Sequence, residues 1–187
     1  MGEVSAVPPT GSWESGSPAL LIGSCEAFSG KSALVLGLAR QLAQRGLSVR
    51  FGKPLAAADG IAADGSSDDL IDDDVRFVGR TLGLSEGQLI AAVHRQGMEA
   101  SHQRLLSGEL HATEGLETLK QRLAAAPEGI TLLEGPGSLS EGLLYGLSLV
   151  QVARALQAPV VLVHPWSDCD SIDPLLQARE QLGDLLA

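Results

Sequence analysis

A lysine set between a glycine and a serine, where an apolar run meets a helical one, has the residue types of a phosphate site. In "LLIGSCEAFSGKS", residues 20–32, Gly30 lets the backbone come close to an anion, Lys31 supplies a point charge, and Ser32 offers a hydroxyl to a divalent cation. Ser24, Cys25, Glu26 and Ser29 belong to the same turn, whose backbone N–H groups would face the anion, helped by the positive end of the following helix. The commonest loop of this kind, G-x-x-x-x-G-K-[ST], would put its first glycine where this chain has Cys25. Two other stretches hold matching chemistry. Lys53 closes a strand-like run in "RFGKPL", and Glu134 closes another in "LLEGPGSL". The carboxyl edge of a parallel sheet is where α/β proteins take ligands, so both would face the crevice of the phosphate turn. An acid there suits a magnesium ion or a positioned water. Only three lysines, Lys31, Lys53 and Lys120, stand against ten arginines, and two of the three lie just past predicted strands. That usage suits lysine as a phosphate-seeking charge.

Other residues have plainer readings. Asp68, Asp69, Asp72, Asp73 and Asp74 crowd a loop and a helix start, where acids complement the helix dipole. Cys25 is either a thiol acidified by the helix N-terminus or, the reading preferred here, a small residue tolerated in the turn. His94, His102, His111 and His164 show no metal-ligand spacing, and His164, at a strand end, reads as structural. No G-x-S-x-G motif is present, so a serine nucleophile has no support.

The elements that must position these residues alternate. Residues 1–17 are rich in Pro, Gly and Ser and read as a disordered tail. Residues 18–24, 47–55, 129–137 and 158–166 read as strands. Helices are expected over 30–46, 73–84, 85–96, 115–126, 139–157 and 171–187, with a long Ala-, Gly- and Asp-rich loop over 56–74. Continuous apolar strands between helices imply an α/β fold: a doubly wound, mainly parallel sheet with helices on both faces, of the P-loop NTPase type. Only four strands are evident, and the chain stops on a helix. The sequence therefore reads as a fragment or as a shortened member of its class, lacking its last strand, with one domain over 18–187.

Composition narrows the function classes. A net charge of −10 disfavours nucleic acid and anionic membranes as partners. No apolar run approaches bilayer length and no signal peptide is visible, so a cytoplasmic location is expected. Two cysteines are too few for a disulfide framework or a cysteine-based zinc site.

Together, "GSCEAFSGKS", "RFGKPL" and "LLEGPGSL" resemble the dethiobiotin synthetase family, and within it the domain of that type at the N-terminus of some phosphate acetyltransferase family proteins. The loop of that group is one residue longer than the common pattern. Its first glycine falls on Ser24 and its loop threonine on Cys25, so the missing glycine at 25 is a feature of the subclass and Ser24 a departure of this chain. The resemblance implies ATP and Mg2+ as cofactors. It places Lys31 and Ser32 on the phosphates and the metal, and Lys53 at the transferring phosphate as the catalytic residue. It makes Glu134 a magnesium ligand, with Asp74, or second Asp72, as the remaining acid. It also implies a homodimer. The expected function is a regulatory ATP-binding domain; an ATP-dependent ligase and a nucleotide-free scaffold are the alternatives. A partitioning-type switch ATPase ranks last, because residues 23–29 lack the second lysine of that class.

Overall fold

The computed structural model describes residues 18–56, 71, 73–94, 103–109 and 111–187. The tail over 1–17, most of the acid-rich loop, Asp68, Asp69, Asp72 and His102 lie outside the described residues.

Five strands, β1 (Ala19–Gly23), β2 (Val49–Gly52), β3 (Leu89–Ile90), β4 (Ile130–Glu134) and β5 (Val160–Leu162), form one sheet in the order β3-β2-β4-β1-β5. Every pairing is parallel. The helices are α1 (Lys31–Gln44), α2 (Asp73–Leu82), α3 (Ala112–Ala125), α4 (Leu149–Leu156) and α5 (Ile172–Leu182).

The continuous apolar strands explain why both faces are covered, since neighbouring residues of a strand point to opposite sides. Ile22 and Leu132 pack with Val35 and Ala39 of α1 and with Val75 and Val78 of α2. Their neighbours Leu21 and Leu133 pack with Leu119 of α3, Val152 of α4 and Ala178 of α5. The sheet is thus wound on both faces, and its carboxyl edge carries the loops that follow β1, β2 and β4.

Three expectations need correction. Residues 85–96 do not form a helix: a 3-10 turn over Glu86–Gln88 leads into β3, the fifth strand. The apolar run there satisfies helix and strand patterns alike, and the open edge of β2 decides between them. Phe51 pairs with Leu89 and Gly52 with Ile90, and the Gln88 amide donates to the Val49 carbonyl at 2.9 Å. Residues 139–157 are not one helix either. Gly142 (φ 84°) and Gly146 (φ 72°) bracket a 3-10 turn, Leu143–Tyr145, and Ser148 starts α4 afresh through a capping box with Gln151. Finally, the chain does not end on a helix. Beyond α5 Leu186 bridges Val160 in parallel, and the Ala187 N–H donates to the Val160 carbonyl at 2.9 Å.

Among the described residues, no helix is long and apolar enough to cross a membrane.

Candidate functional site

The turn from β1 into α1 begins at Ser24, which is fully buried, and ends at Gly30, the helix N-cap. Gly30 has φ 95°, a left-handed conformation that favours glycine and lets the turn re-enter the helix. No side chain caps α1 and its first turn holds no acid, so its N–H groups face the loop without a competing carboxylate. Phe28 also takes a left-handed conformation (φ 57°), and its side chain is fully exposed at the crest. Such a backbone costs a non-glycine residue about 1 kcal/mol or more, and strain of this kind gathers at ligand loops.

Lys31 lies almost buried at the base of this turn, and its ammonium donates to Ser24 Oγ at 2.8 Å. Among the described residues it forms no ion pair. Burial lowers its pKa; Glu134 and Glu141 oppose that shift, and the charge of Lys53 adds to it. Ser24 is therefore more than a tolerated substitute for glycine. Its hydroxyl receives the lysine and donates to the carbonyls of Glu26 (2.7 Å) and Gly137 (3.3 Å), tying the phosphate turn to the turn after β4. Glu141 holds Gly137 from its other side, accepting its N–H at 2.7 Å. A Cβ on Gly137 would stand 2.7 Å from that carboxylate, so the turn needs a bare backbone there.

The sequence-chosen residues converge. Ser32 donates to Glu134 Oε1 at 3.2 Å. Lys53 Nζ lies 3.4 Å from the same oxygen and 2.5 Å from Asp74 Oδ2. Asp74 belongs to the first turn of α2, so its expected service to the helix dipole and its place beside Lys53 coexist. Glu134 is buried, and its second oxygen, Oε2, has no hydrogen-bond partner among the described residues; neither has Ser29 Oγ in the phosphate turn. A buried carboxylate oxygen without a donor, beside a serine hydroxyl, fits a hard cation with oxygen ligands. No group of three or more His, Cys, Asp or Glu side chains that could hold a metal occurs among the described residues. A cation here would thus draw the rest of its shell from phosphate and water.

Burial pushes the Glu134 carboxyl above its ordinary range, against the opposing pull of Lys53, the Ser32 hydrogen bond and Lys31. A raised carboxyl pKa means that the ionised form costs the empty fold stability as the pH rises through the folded-state pKa, and that acid relieves the cost. Glu134→Gln should therefore melt no lower than the wild type at pH 7.5, and any advantage should shrink toward pH 5. Melting curves across that range check this; a variant several degrees less stable at pH 7.5 would contradict it.

The remaining candidates fall away from this centre. Cys25 is half-buried with its Sγ 3.5 Å from the Pro174 carbonyl, and burial, then Glu26, push its thiol up, which rules against an acidified nucleophile. His164 keeps Nδ1 buried without a hydrogen-bond partner, so the structural reading holds only in part. Glu141 was not evident from sequence, although "SLSE" carries a signal: the Glu141 N–H donates to Ser138 Oγ at 3.2 Å, half of a capping box.

Comparison with solved structures gives distant likeness. The signal recognition particle receptor FtsY of Elizabethkingia anophelis in complex with GDP superposes with a TM-score of 0.49 at 16% identity, over 91% of this chain and 48% of that one. Chloroplast FtsY of Physcomitrella patens gives 0.49 at 15%, over 90% and 48%. Cell division protein FtsY of Thermotoga maritima gives 0.46 at 18%, over 96% and 51%. This chain spans about half the length of each. A family model described as an AAA domain (AAA_26) matches residues 18–184, the whole of the sheet, its helices and the phosphate turn, and the chain belongs to that family of P-loop NTPase domains.

Proposed function

We propose that the domain binds a magnesium nucleoside triphosphate, ATP, and acts as a nucleotide-sensing regulatory domain of the dethiobiotin-synthetase-like type, as found in phosphate acetyltransferase family proteins. The observation that carries this reading is Lys31: a nearly buried ammonium, its pKa depressed by burial, whose hydrogen-bond partner is one serine hydroxyl. A cation in that setting is costly unless an anion arrives, and the adjoining turn presents the N-terminus of α1. Ser32 and Glu134, with Asp74 further out, hold the metal in this reading, and Lys53 faces the terminal phosphate.

An active ligase is the second reading, favoured by one observation: Lys53 lies between two carboxylates at the site where a transferring phosphate would sit. Two measurements separate the readings. Mg-ATP at a hundredfold excess over its Kd should stabilise the chain by ~2.7 kcal/mol, and Glu134→Gln should weaken Mg-ATP binding far more than binding of metal-free ATP. Phosphate release should be negligible, with or without small diamino and carboxylic acids. An unshifted melt in a folded chain overturns nucleotide binding. Substrate-stimulated release that disappears in Lys53→Ala overturns the regulatory role and establishes the ligase.

A further inference from the structure

A second polar cleft lies apart from the phosphate turn, between the end of β3 and the start of α3. Its volume is about 140 Å3, and Val93 and Leu147 contribute its apolar lining. The polar side chains around it are His94, Arg104, His111, Glu114, Thr118 and Tyr145. None of these belongs to the constellation of Lys31, Ser32, Lys53, Asp74 and Glu134. The walls are closely set. The His94 ring stacks on Tyr145 with centroids 3.7 Å apart and planes 29° from parallel. A Cβ on Gly115 would stand 2.4 Å from the Tyr145 carbonyl, so α3 and the 3-10 turn touch through bare backbone.

From this lining we infer a binding site for a small α-amino acid. The volume equals about four to five waters at roughly 30 Å3 each, room for a compact polar molecule. Arg104 is the permanent cation of the lining and the group that binds a carboxylate in two-pronged geometry. Glu114 is its carboxylate, a partner for an ammonium, and the two do not form an ion pair with each other. Thr118 and the Tyr145 hydroxyl add neutral donors and acceptors. A lining with one charge of each sign suits a ligand with both charges, whereas a dicarboxylate would meet Glu114 and a diamine would meet Arg104.

The cleft is also joined to the nucleotide site. The Val93 and His94 N–H groups donate to the Pro54 carbonyl at 2.8 and 3.3 Å, directly after Lys53, and Ala56 donates to the His94 carbonyl at 3.1 Å. Tyr145 stands on the segment that leaves Glu134 and passes through Gly137 and Glu141. An occupant would thus bear on Lys53 from one wall and on the turn after β4 from the other, and any such coupling acts equally in both directions.

Tyr145 is the chain's single tyrosine, so protein labelled with 3-fluorotyrosine gives one fluorine resonance, seated in the cleft. L-alanine, L-serine and L-glutamate are titrated against it, with succinate, 1,4-diaminobutane and sodium chloride as controls. The expected result is a saturable shift for at least one amino acid, with a midpoint of about 1 mM or below, and about tenfold weaker or no response to the controls. The shift should weaken about tenfold or more in Arg104→Ala, disappear in Thr118→Leu, which fills the cleft, and persist in Lys31→Met. No shift beyond that of salt, an equal response to succinate, or a shift unchanged in both cleft variants overturns the proposal. Since Lys31→Met leaves the cleft intact, failure of nucleotide binding and failure of this site are read separately.

Discussion

Lys31→Met should lose essentially all of the melting-temperature rise that Mg-ATP gives the wild type, while the empty variant melts no lower than the empty wild type. The first half follows from the lysine's place at the mouth of α1. A charge-assisted hydrogen bond to phosphate contributes roughly 1.5–3 kcal/mol, and losing it should weaken binding about a hundredfold. The second half follows from its burial. The lysine's pKa is lowered chiefly by desolvation, so its charged form costs the empty fold stability at neutral pH, a cost relieved only as the pH rises through the folded-state pKa. Methionine keeps most of the side-chain volume and removes that charge, leaving Ser24 its bonds to Glu26 and Gly137. Melting curves of both proteins, with and without Mg-ATP, decide the matter. An equal rise in the variant would remove Lys31 from the nucleotide site; a collapse of the empty variant would show that the lysine holds the loop together.

The largest effect on stability is expected at Arg50, far from any ligand. This arginine of β2 is 1% exposed and has no carboxylate partner among the described residues. Its Nη1 donates to the Leu123 and Ala126 carbonyls at 3.0 and 3.4 Å, and its Nη2 to Thr131 Oγ1. The charge is thus placed at the C-terminal end of α3, where the helix dipole favours a cation and the last carbonyls need donors. Burial still lowers its pKa, so the guanidinium is held by hydrogen bonds rather than by a counter-charge. Arg50→Ala would leave two buried carbonyls and a hydroxyl without their donor, beside a cavity. A loss of about 3–5 kcal/mol is expected, against a total of roughly 5–15 kcal/mol for a domain. Urea unfolding should show it as a midpoint lower by roughly 2 M at an m-value of about 2 kcal/mol/M. A loss below about 1 kcal/mol would mean that water replaces the guanidinium at no great cost.

Arg50 also shows what the sequence could not reveal. Around it, "LSVRFG" reads as a strand from its apolar residues, and the arginine's role depends on helix α3, some seventy residues on. The legible parts are those with a local cause. Continuous apolar runs stopped by glycine or proline marked β1, β2, β4 and β5, and Gly30, Lys31 and Ser32 marked the loop. Lys53, Asp74 and Glu134 were found because each sits at an element's end, where a parallel sheet gathers its ligands. β3 was missed because its two residues form a strand only against β2, and the split within 139–157 because two glycines in left-handed conformation do not disturb an apolar pattern. The Ser24–Lys31 contact was missed for a different reason: the resemblance made Ser24 a substitute for glycine, and only the folded loop showed what its hydroxyl does.

The parallel sheet has a consequence for the chain as it is made. Ala19 pairs with Thr131 and Leu21 with Val160, so the first strand to leave the ribosome has no neighbour until more than a hundred further residues have been added. At synthesis rates of about 5–20 residues per second, that wait lasts roughly 5–20 s. β2 meets β3 much sooner, since Phe51 and Leu89 are separated by a far shorter stretch. The edge of the sheet can therefore form while its centre is still an exposed apolar segment, open to chaperones and to wrong partners alike. The phosphate turn hangs from the end of that segment, so the nascent chain gains a place to hold phosphate only when β4 emerges to fix β1 in line.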